Sequence, residues 1–508
     1  MHIDIVPSRN SKPTILLRES YREGGKVKKH TLANLSKLSM DQVQLFRQVL
    51  KGEQLVLADA LFDVSSSQHH RHIQAVRTAM KRLRFDNLLA SRCTRERDLV
   101  VAMVVTRILE PESKLATTRW WHTTTLPDDL GVADATEDDL YQAMDWLLDR
   151  QGHIEKKLAI RHLSACGHAQ AGLEEGGLVL YDLSSSYFEG VACPLAARGY
   201  NRDKKKGKLQ VNYGLLTNRR GCPVSISVFP GNSGDPKTLL GQVTKIKEQF
   251  KLDSLVLVGD RLPVPAGQTG GMISQKQIDK LSGIEGIDWI TALRGGQISK
   301  LMQDGTINMS LFDERDLYEF THRDFPGERL VVCRNPLMAE RRVRTRQSLI
   351  EATVQELEKV RGMVKRGGLK AKEKIGVRVG KVVNKYKVAK HFQLVIEEGQ
   401  FSYHLLPKKV AEEAAMDGLY VIRTSLSKER MTGEEAVRSY KRLSTVERAF
   451  RSLKGIDLKV RPTCLCVPAR RQVYHHLEDR VRAHIFLCML AYYVEWHMKE
   501  AWRELLFS

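Results

Sequence analysis

Apolar positions change their rhythm along the chain, and each rhythm predicts a kind of element. Residues 14–35 alternate apolar and polar positions on either side of Gly24-Gly25, which predicts a β-hairpin. From about 40 to 170 the apolar spacing becomes three and four, the helical period. Within that region Ile73, Val76, Met80 and Leu83 predict the buried face of a helix over His69 to Arg84, whose other positions are rich in His, Arg and Lys. Leu99 to Leu109 reads as a buried helix stopped by Pro111, and Glu137-Asp138-Asp139 as the acidic start of a helix running through Trp146 and Leu147. Trp120, Trp121 and Trp146 read as core residues rather than base-stacking platforms.

Continuous apolar runs follow. Leu178 to Asp182, Leu209 to Thr217, Pro223 to Phe229, Leu255 to Asp260, Trp289 to Leu293 and Asp417 to Thr424 predict strands. A helix near Thr238 to Phe250 precedes the Asp260 run, giving a strand–helix–strand crossover. Ala339 to Lys365 is helical and highly charged, and Gly367-Gly368 turns it into an exposed helical arm. His391 to Ile396 and Tyr403 to Leu406 pair as two further strands, and Val473 to Met498 reads as a long helix.

Tyr440 to Lys454 is predicted as one uninterrupted helix, with Gly455 at the C-terminal cap position. Tyr440, Glu447 and Lys454 recur at seven residues, about two helical turns, so they share a face, and Arg451 joins them four residues after Glu447. Leu443, Val446, Ala449, Phe450 and Leu453 form the packing stripe. A carboxylate among cations and a phenol suits a metal ion beside a phosphate backbone. The same residues also read as a solvated face carrying a Glu447–Arg451 pair.

Composition narrows the partner. The 508 residues are too many for one core and predict two or three domains. Lys and Arg number 81 against 60 Asp and Glu, a net charge of +21, which favours a polyanionic partner, nucleic acid first and a membrane surface second. No apolar run approaches the roughly 18 residues that cross a bilayer, and no secretion signal opens the chain. The eight cysteines are scattered like reduced thiols. Cys464 and Cys466 with His475 and His476 offer zinc ligands, although at the spacing of no common zinc module. Arg77, Lys81 and Arg84 are the candidate DNA contacts of the basic helix. Charges on the second strand of the 14–35 hairpin read equally as DNA contacts or as edge protection.

Two apolar runs end in carboxylates, Asp182 and Asp260, and a later helix carries Glu447. Oxygen donors of this kind suit hard divalent cations. Together with Tyr181-Asp182-Leu183-Ser184-Ser185-Ser186-Tyr187-Phe188-Glu189, Val258-Gly259-Asp260-Arg261, and the helix bearing Tyr440, Glu447 and Lys454, the chain resembles DDE transposases of bacterial insertion sequences, in the IS4-like group and its IS1634 family. The resemblance spans almost the whole chain. One departure stands out: the Arg expected three residues after Tyr440 is Leu443, with Arg442 just before it.

The resemblance implies an α/β fold with an RNase H-like catalytic core of the retroviral integrase superfamily. It implies a hairpin and mainly helical DNA-binding region over 1–170, the core over 171–296 and 417–508, and an inserted β-rich and helical subdomain over 297–416. Asp182, Asp260 and Glu447 would hold two Mg²⁺ (or Mn²⁺) ions, and Tyr440, Arg451 and Lys454 would grip a DNA end. The implied activity is cutting double-stranded DNA at the element's inverted repeats and joining it to target DNA, by a homodimer assembled on DNA in the bacterial cytoplasm, associated with the nucleoid. A nuclease without strand transfer, or an inactive relative that only binds DNA, would share much of this pattern. Leu262 to Gly270 and Thr463 to Gln472 interrupt family-like text and read as surface insertions that reduce activity while leaving the fold intact.

Overall fold

A computed structural model describes residues 1–8, 11–54, 67–163, 177–188, 192–199, 207–260, 273–307, 317–455 and 477–505. Both presumed insertions and the Cys464/Cys466/His475/His476 group lie outside these residues. The chain divides into two compact units, Met1–Gln68 and His69–Ser508.

The first unit is a three-stranded antiparallel sheet, β1 (His2–Val6), β2 (Thr14–Glu23) and β3 (Lys26–Asn34), with one helix, α1 (Met40–Leu50). Gly24 and Gly25 have φ of 59° and 76°, the left-handed pair that a two-residue hairpin turn demands. The hairpin is therefore where the sequence placed it; β1 was not foreseen. Ser39 and Gln42 close a reciprocal cap on α1. Ile3, Ile15 and Val43 form the small core. Nearly all of β3 is exposed, including Lys26, Lys28, Lys29 and His30.

The second unit begins with helices α2 (Arg71–Arg82), α3 (Phe85–Leu89), α4 (Arg95–Leu109), α5 (Lys114–Trp121), α6 (Leu126–Leu130), α7 (Glu137–Asp149) and α8 (Gln151–Leu163). Residues 99–107 of α4 are all buried, which makes it the centre of the group. Thr136 and Asp139 cap α7, as its acidic start predicts. Trp121 is buried, with Trp120 and Trp146 packed against the same core.

An eight-stranded sheet follows, in the order β6-β5-β4-β7-β8-β13-β10-β9. Its strands are β4 (Gly177–Phe188), β5 (Leu209–Asn218), β6 (Pro223–Pro230), β7 (Leu255–Gly259), β8 (Ile287–Ala292), β9 (Leu317–Phe320), β10 (Arg329–Arg334) and β13 (Leu419–Thr424). β4, β7 and β8 are parallel neighbours, and the remaining pairs are antiparallel. Helix α9 (Asp235–Thr244) makes the foreseen crossover into β7, and α10 (Gln275–Leu281) lies between β7 and β8. β9 and β10 extend this sheet, so the region expected to begin a separate subdomain at 297, opening with α11 (Gly295–Gln303), gives the large sheet two more strands.

The excursion with its own core comes later. Helices α12 (Pro336–Lys365) and α13 (Lys372–Tyr386) form the hairpin arm, packed on the pair β11 (Phe392–Glu397) and β12 (Gln400–Leu405) around Leu357, Val360, Ile375, Val379 and Phe401. After α14 (Pro407–Ala414) the chain returns through β13. Then come α15 (Gly433–Lys441), α16 (Leu443–Lys454) and α17 (Glu478–Ala501). α17 is buried along residues 483–494 and packs against α2, α4, α7 and the edge strand β6.

Candidate active site

The parallel ladder between β4 and β7 runs from Gly177 opposite Leu255 to Tyr181 opposite Gly259. The next residue on each side is Asp182 and Asp260, so two carboxylates leave neighbouring strands at one level. Asp182 is not at its strand's end, as the apolar run implied. β4 continues to Phe188 because β5 goes on pairing with it, and only the partner β7 stops. Asp182 Oδ1 accepts from the Leu183 amide at 2.8 Å.

Side chains alternate across a strand, so Asp182, Ser184 and Ser186 share a face while Tyr181, Leu183 and Ser185 share the other. The second face meets α9, where the Tyr181 hydroxyl donates to Thr238 at 3.0 Å. The Asp182 face carries Tyr213, opposite Ser184 in the ladder and 2.9 Å from the Ser186 hydroxyl. Over Tyr213 lies α16: the Phe450 ring sits edge-on at 5.8 Å and the Lys454 ammonium 5.9 Å from the ring centre. The helix carrying Glu447 thus packs on the face that carries Asp182.

α16 buries Leu443, Val446, Ala449, Phe450 and Leu453, the stripe read from the sequence, and leaves Glu447, Arg448 and Arg451 exposed. No Glu447–Arg451 ion pair forms among the described residues. The expectation of one continuous helix from Tyr440 needs correcting. The helix breaks at Arg442, where the Thr445 amide and hydroxyl both turn to the Arg442 carbonyl, at 2.8 and 2.7 Å, and tighten the turn. The sevenfold spacing within α16 keeps Glu447 and Lys454 on one side of that helix, while Tyr440 belongs to α15. The Tyr440 hydroxyl donates to Asp260 Oδ1 at 2.7 Å, which brings it to one of the two site carboxylates. Gly455 does sit at the cap, its amide bonded to the Arg451 carbonyl at 2.7 Å.

The β5–β6 turn buttresses α16. Gly221 has φ of 85°, and a Cβ there would lie 2.8 Å from Thr445. This turn also brings cations that sequence reasoning missed. Burial, with Arg219 and Arg438 nearby, lowers the pKa of Arg442 below its ordinary value. Arg442 places a guanidinium one residue before the position where the resemblance expects an Arg, and Leu443 belongs to the core. The Lys-Arg-Leu-Ser run was visible in the sequence; its proximity to Arg219 was not.

The basic helix is only partly as expected. It runs from Arg71 to Arg82, and Arg84 sits beyond it in a left-handed junction with φ of 49°. Lys81 and Arg84 are exposed. Arg77 is not available to DNA: it shares the face of Ile73, Val76 and Met80, is buried, and lies 3.5 Å from Asp86. No helix among the described residues is long and apolar enough to cross a membrane.

Residues 3–59 match the family model described as IS1634 family transposase, N-terminal domain. That match supports a transposase of the IS1634 family, and such a family implies an enzyme that binds and processes DNA. Among curated proteins, none matches the chain.

Proposed function

We propose that this chain is a DDE transposase of the IS4-like group, cutting DNA at the ends of an insertion sequence and joining those ends to target DNA. The observation that carries the reading is the pair of carboxylates, Asp182 and Asp260, side by side where the parallel ladder ends, on a sheet whose Asp182 face is covered by the helix bearing Glu447. The strand order supports it further. Three antiparallel strands, β6-β5-β4, followed by parallel β7 and β8, follow the order of an RNase H-like core.

The donor set fits Mg²⁺ or Mn²⁺, being oxygen-only, carboxylate-rich and partly open to solvent. Asp182, Asp260 and Glu447 would hold two such ions. When bound, they supply activation of a water or a DNA 3′-hydroxyl and stabilisation of the departing oxygen. The Tyr440 hydroxyl fixes the orientation of the Asp260 carboxylate. Lys454 and Arg451 hold phosphate oxygens, with Arg442, Arg219 and Arg438 adding positive charge at the flank. The net charge of +21 attracts the DNA and makes its binding salt-dependent. Two copies assembled on DNA would pair the two ends.

The test is cleavage of end DNA in Mg²⁺. Asp182→Ala is expected to keep DNA binding and lose cleavage; retained cleavage refutes the assignment. Products joined to target DNA distinguish a transposase from a nuclease.

A further inference from the structure

Beside the β5–β6 turn that abuts α16, three residues from distant parts of the chain meet. His162 lies in the last turn of α8, Cys222 in the β5–β6 turn, and His497 near the end of α17. We propose that His162, Cys222 and His497 form a metal site for a borderline or soft ion, zinc foremost, that staples these three elements together.

One ligand atom from each residue lies within 4.8 Å of the other two. Cys222 Sγ and His497 Nε2 are 3.8 Å apart. Ligands on a tetrahedral zinc ion, bound at about 2.0–2.3 Å, stand roughly 3.3–3.7 Å from one another, so a contraction of up to about 1–1.5 Å closes the set. Imidazole and thiolate are the donors zinc prefers, and two His with one Cys leave a fourth position. The Tyr493 hydroxyl, 3.1 Å from His162 Nε2, stands beside the cluster, and its ring packs at 4.7 Å from His497. Cys222 is buried and both histidines are half-buried, so the ligands are sheltered while remaining open to entry.

The cations nearby are engaged elsewhere. Arg161 donates to the Leu83 carbonyl at 3.0 Å and to Tyr493 at 3.1 Å, and Arg220 pairs with Glu500 and stacks over Trp496 at 5.4 Å. Burial pushes the Cys222 thiol well above its ordinary value, a shift that the positive charge of Arg220 and Arg161 offsets only in part. On binding, the Cys222 S–H proton passes to solvent as the sulfur–metal bond forms, so uptake releases one proton from this residue.

The location sets the purpose. Gly221, next to Cys222, abuts Thr445 on α16. A metal here fixes the turn on which α16 rests, and fastens α8 and α17 to it. It acts as a structural clamp and takes no part in the oxygen-ligand chemistry proposed at Asp182.

The test uses the full chain freed of metal with a chelator and titrated with Co²⁺, then Zn²⁺. The expected result is a thiolate-to-cobalt absorption band, its displacement by Zn²⁺, and a higher melting temperature with Zn²⁺. Cys222→Ser is expected to abolish the band. His162→Gln and His497→Gln, which keep Cys222, are expected to weaken Zn²⁺ binding by at least about tenfold. A Cys464→Ser/Cys466→Ser variant is expected to keep the band. No band in the unaltered protein, or a band that survives Cys222→Ser, overturns the proposal; so does Zn²⁺ affinity unchanged in both histidine variants.

Discussion

Glu155 offers a sharp test of how the helical region is joined to the sheet. Its side chain is fully buried on α8. Oε1 accepts from Gln151 at 2.8 Å and from the Ile226 amide of the edge strand β6 at 3.0 Å. Oε2 lies 2.5 Å from the Lys245 ammonium, an ion pair without hydrogen-bond geometry, and Lys245 is itself 15% exposed. Glu155→Met leaves a mostly buried ammonium with only the Ser227 hydroxyl and the Ile226 amide without its acceptor, an expected loss of about 3–5 kcal/mol. Lys245→Met strands the buried carboxylate and costs a similar amount. The double variant Glu155→Met/Lys245→Met removes both charges and leaves chiefly the orphaned amide, about 1–3 kcal/mol. The two single losses therefore sum to far more than the double loss, with a coupling energy of about 3 kcal/mol or more. Urea unfolding of the four proteins measures it. Additive losses, or a double variant worse than either single one, would refute the view that this pair needs both partners.

Three further outcomes follow from the geometry. Tyr440→Phe removes the bond to Asp260 without changing shape, and cleavage is expected to fall about 10- to 100-fold at unchanged DNA affinity; weakened DNA binding at normal turnover would return Tyr440 to a phosphate role. Arg77→Ala is expected to destabilise by about 1–3 kcal/mol and leave the salt dependence of DNA binding alone, whereas Lys81→Glu with Arg84→Glu should weaken binding at unchanged stability. Burial, then Arg107, pushes the Lys114 pKa down to about 7 from 10.5. Between those values the unfolded chain holds a proton that the folded chain has released, so stability rises with pH from 7 toward 10.5 and is lowest below 7. Lys114→Met should therefore stabilise by on the order of 2–4 kcal/mol at pH 6 and by less at pH 9; an equal gain at both would contradict the shift.

Much of this architecture was written locally. Gly24-Gly25 announces its hairpin because only that turn needs two left-handed residues in succession, and the apolar runs announce β4, β5, β6, β7, β8 and β13 because buried strands need no polar face. The misreadings were tertiary. Leu183 to Phe188 carries three serines and looks like a strand end; β5 alone makes it strand. Arg77 was counted with the cations, although its position puts it on the apolar face, where Asp86 waits. At the break, the amide and hydroxyl of Thr445 both turn to the Arg442 carbonyl. At the candidate site, the pairing of Asp182 with Asp260 was suggested by two similar runs, but the bond from Tyr440 to Asp260 spans 180 residues and the Cys222–His497 contact 275, with no local pattern to reveal either.

The point where the α12–α14 excursion leaves and rejoins the sheet has an evolutionary consequence. β10 ends at Arg334, directly opposite Leu419 at the start of β13, and the Asn335 amide bonds to the Gly418 carbonyl at 2.9 Å. Everything from 336 to 417 therefore hangs from a single rung between neighbouring antiparallel strands. Topologically it is a hairpin loop that has grown a core of its own. Such a loop can lengthen, shrink or be exchanged for another without any strand changing partner, so this is where relatives of the chain can differ most in size while keeping the carboxylate-bearing sheet unaltered.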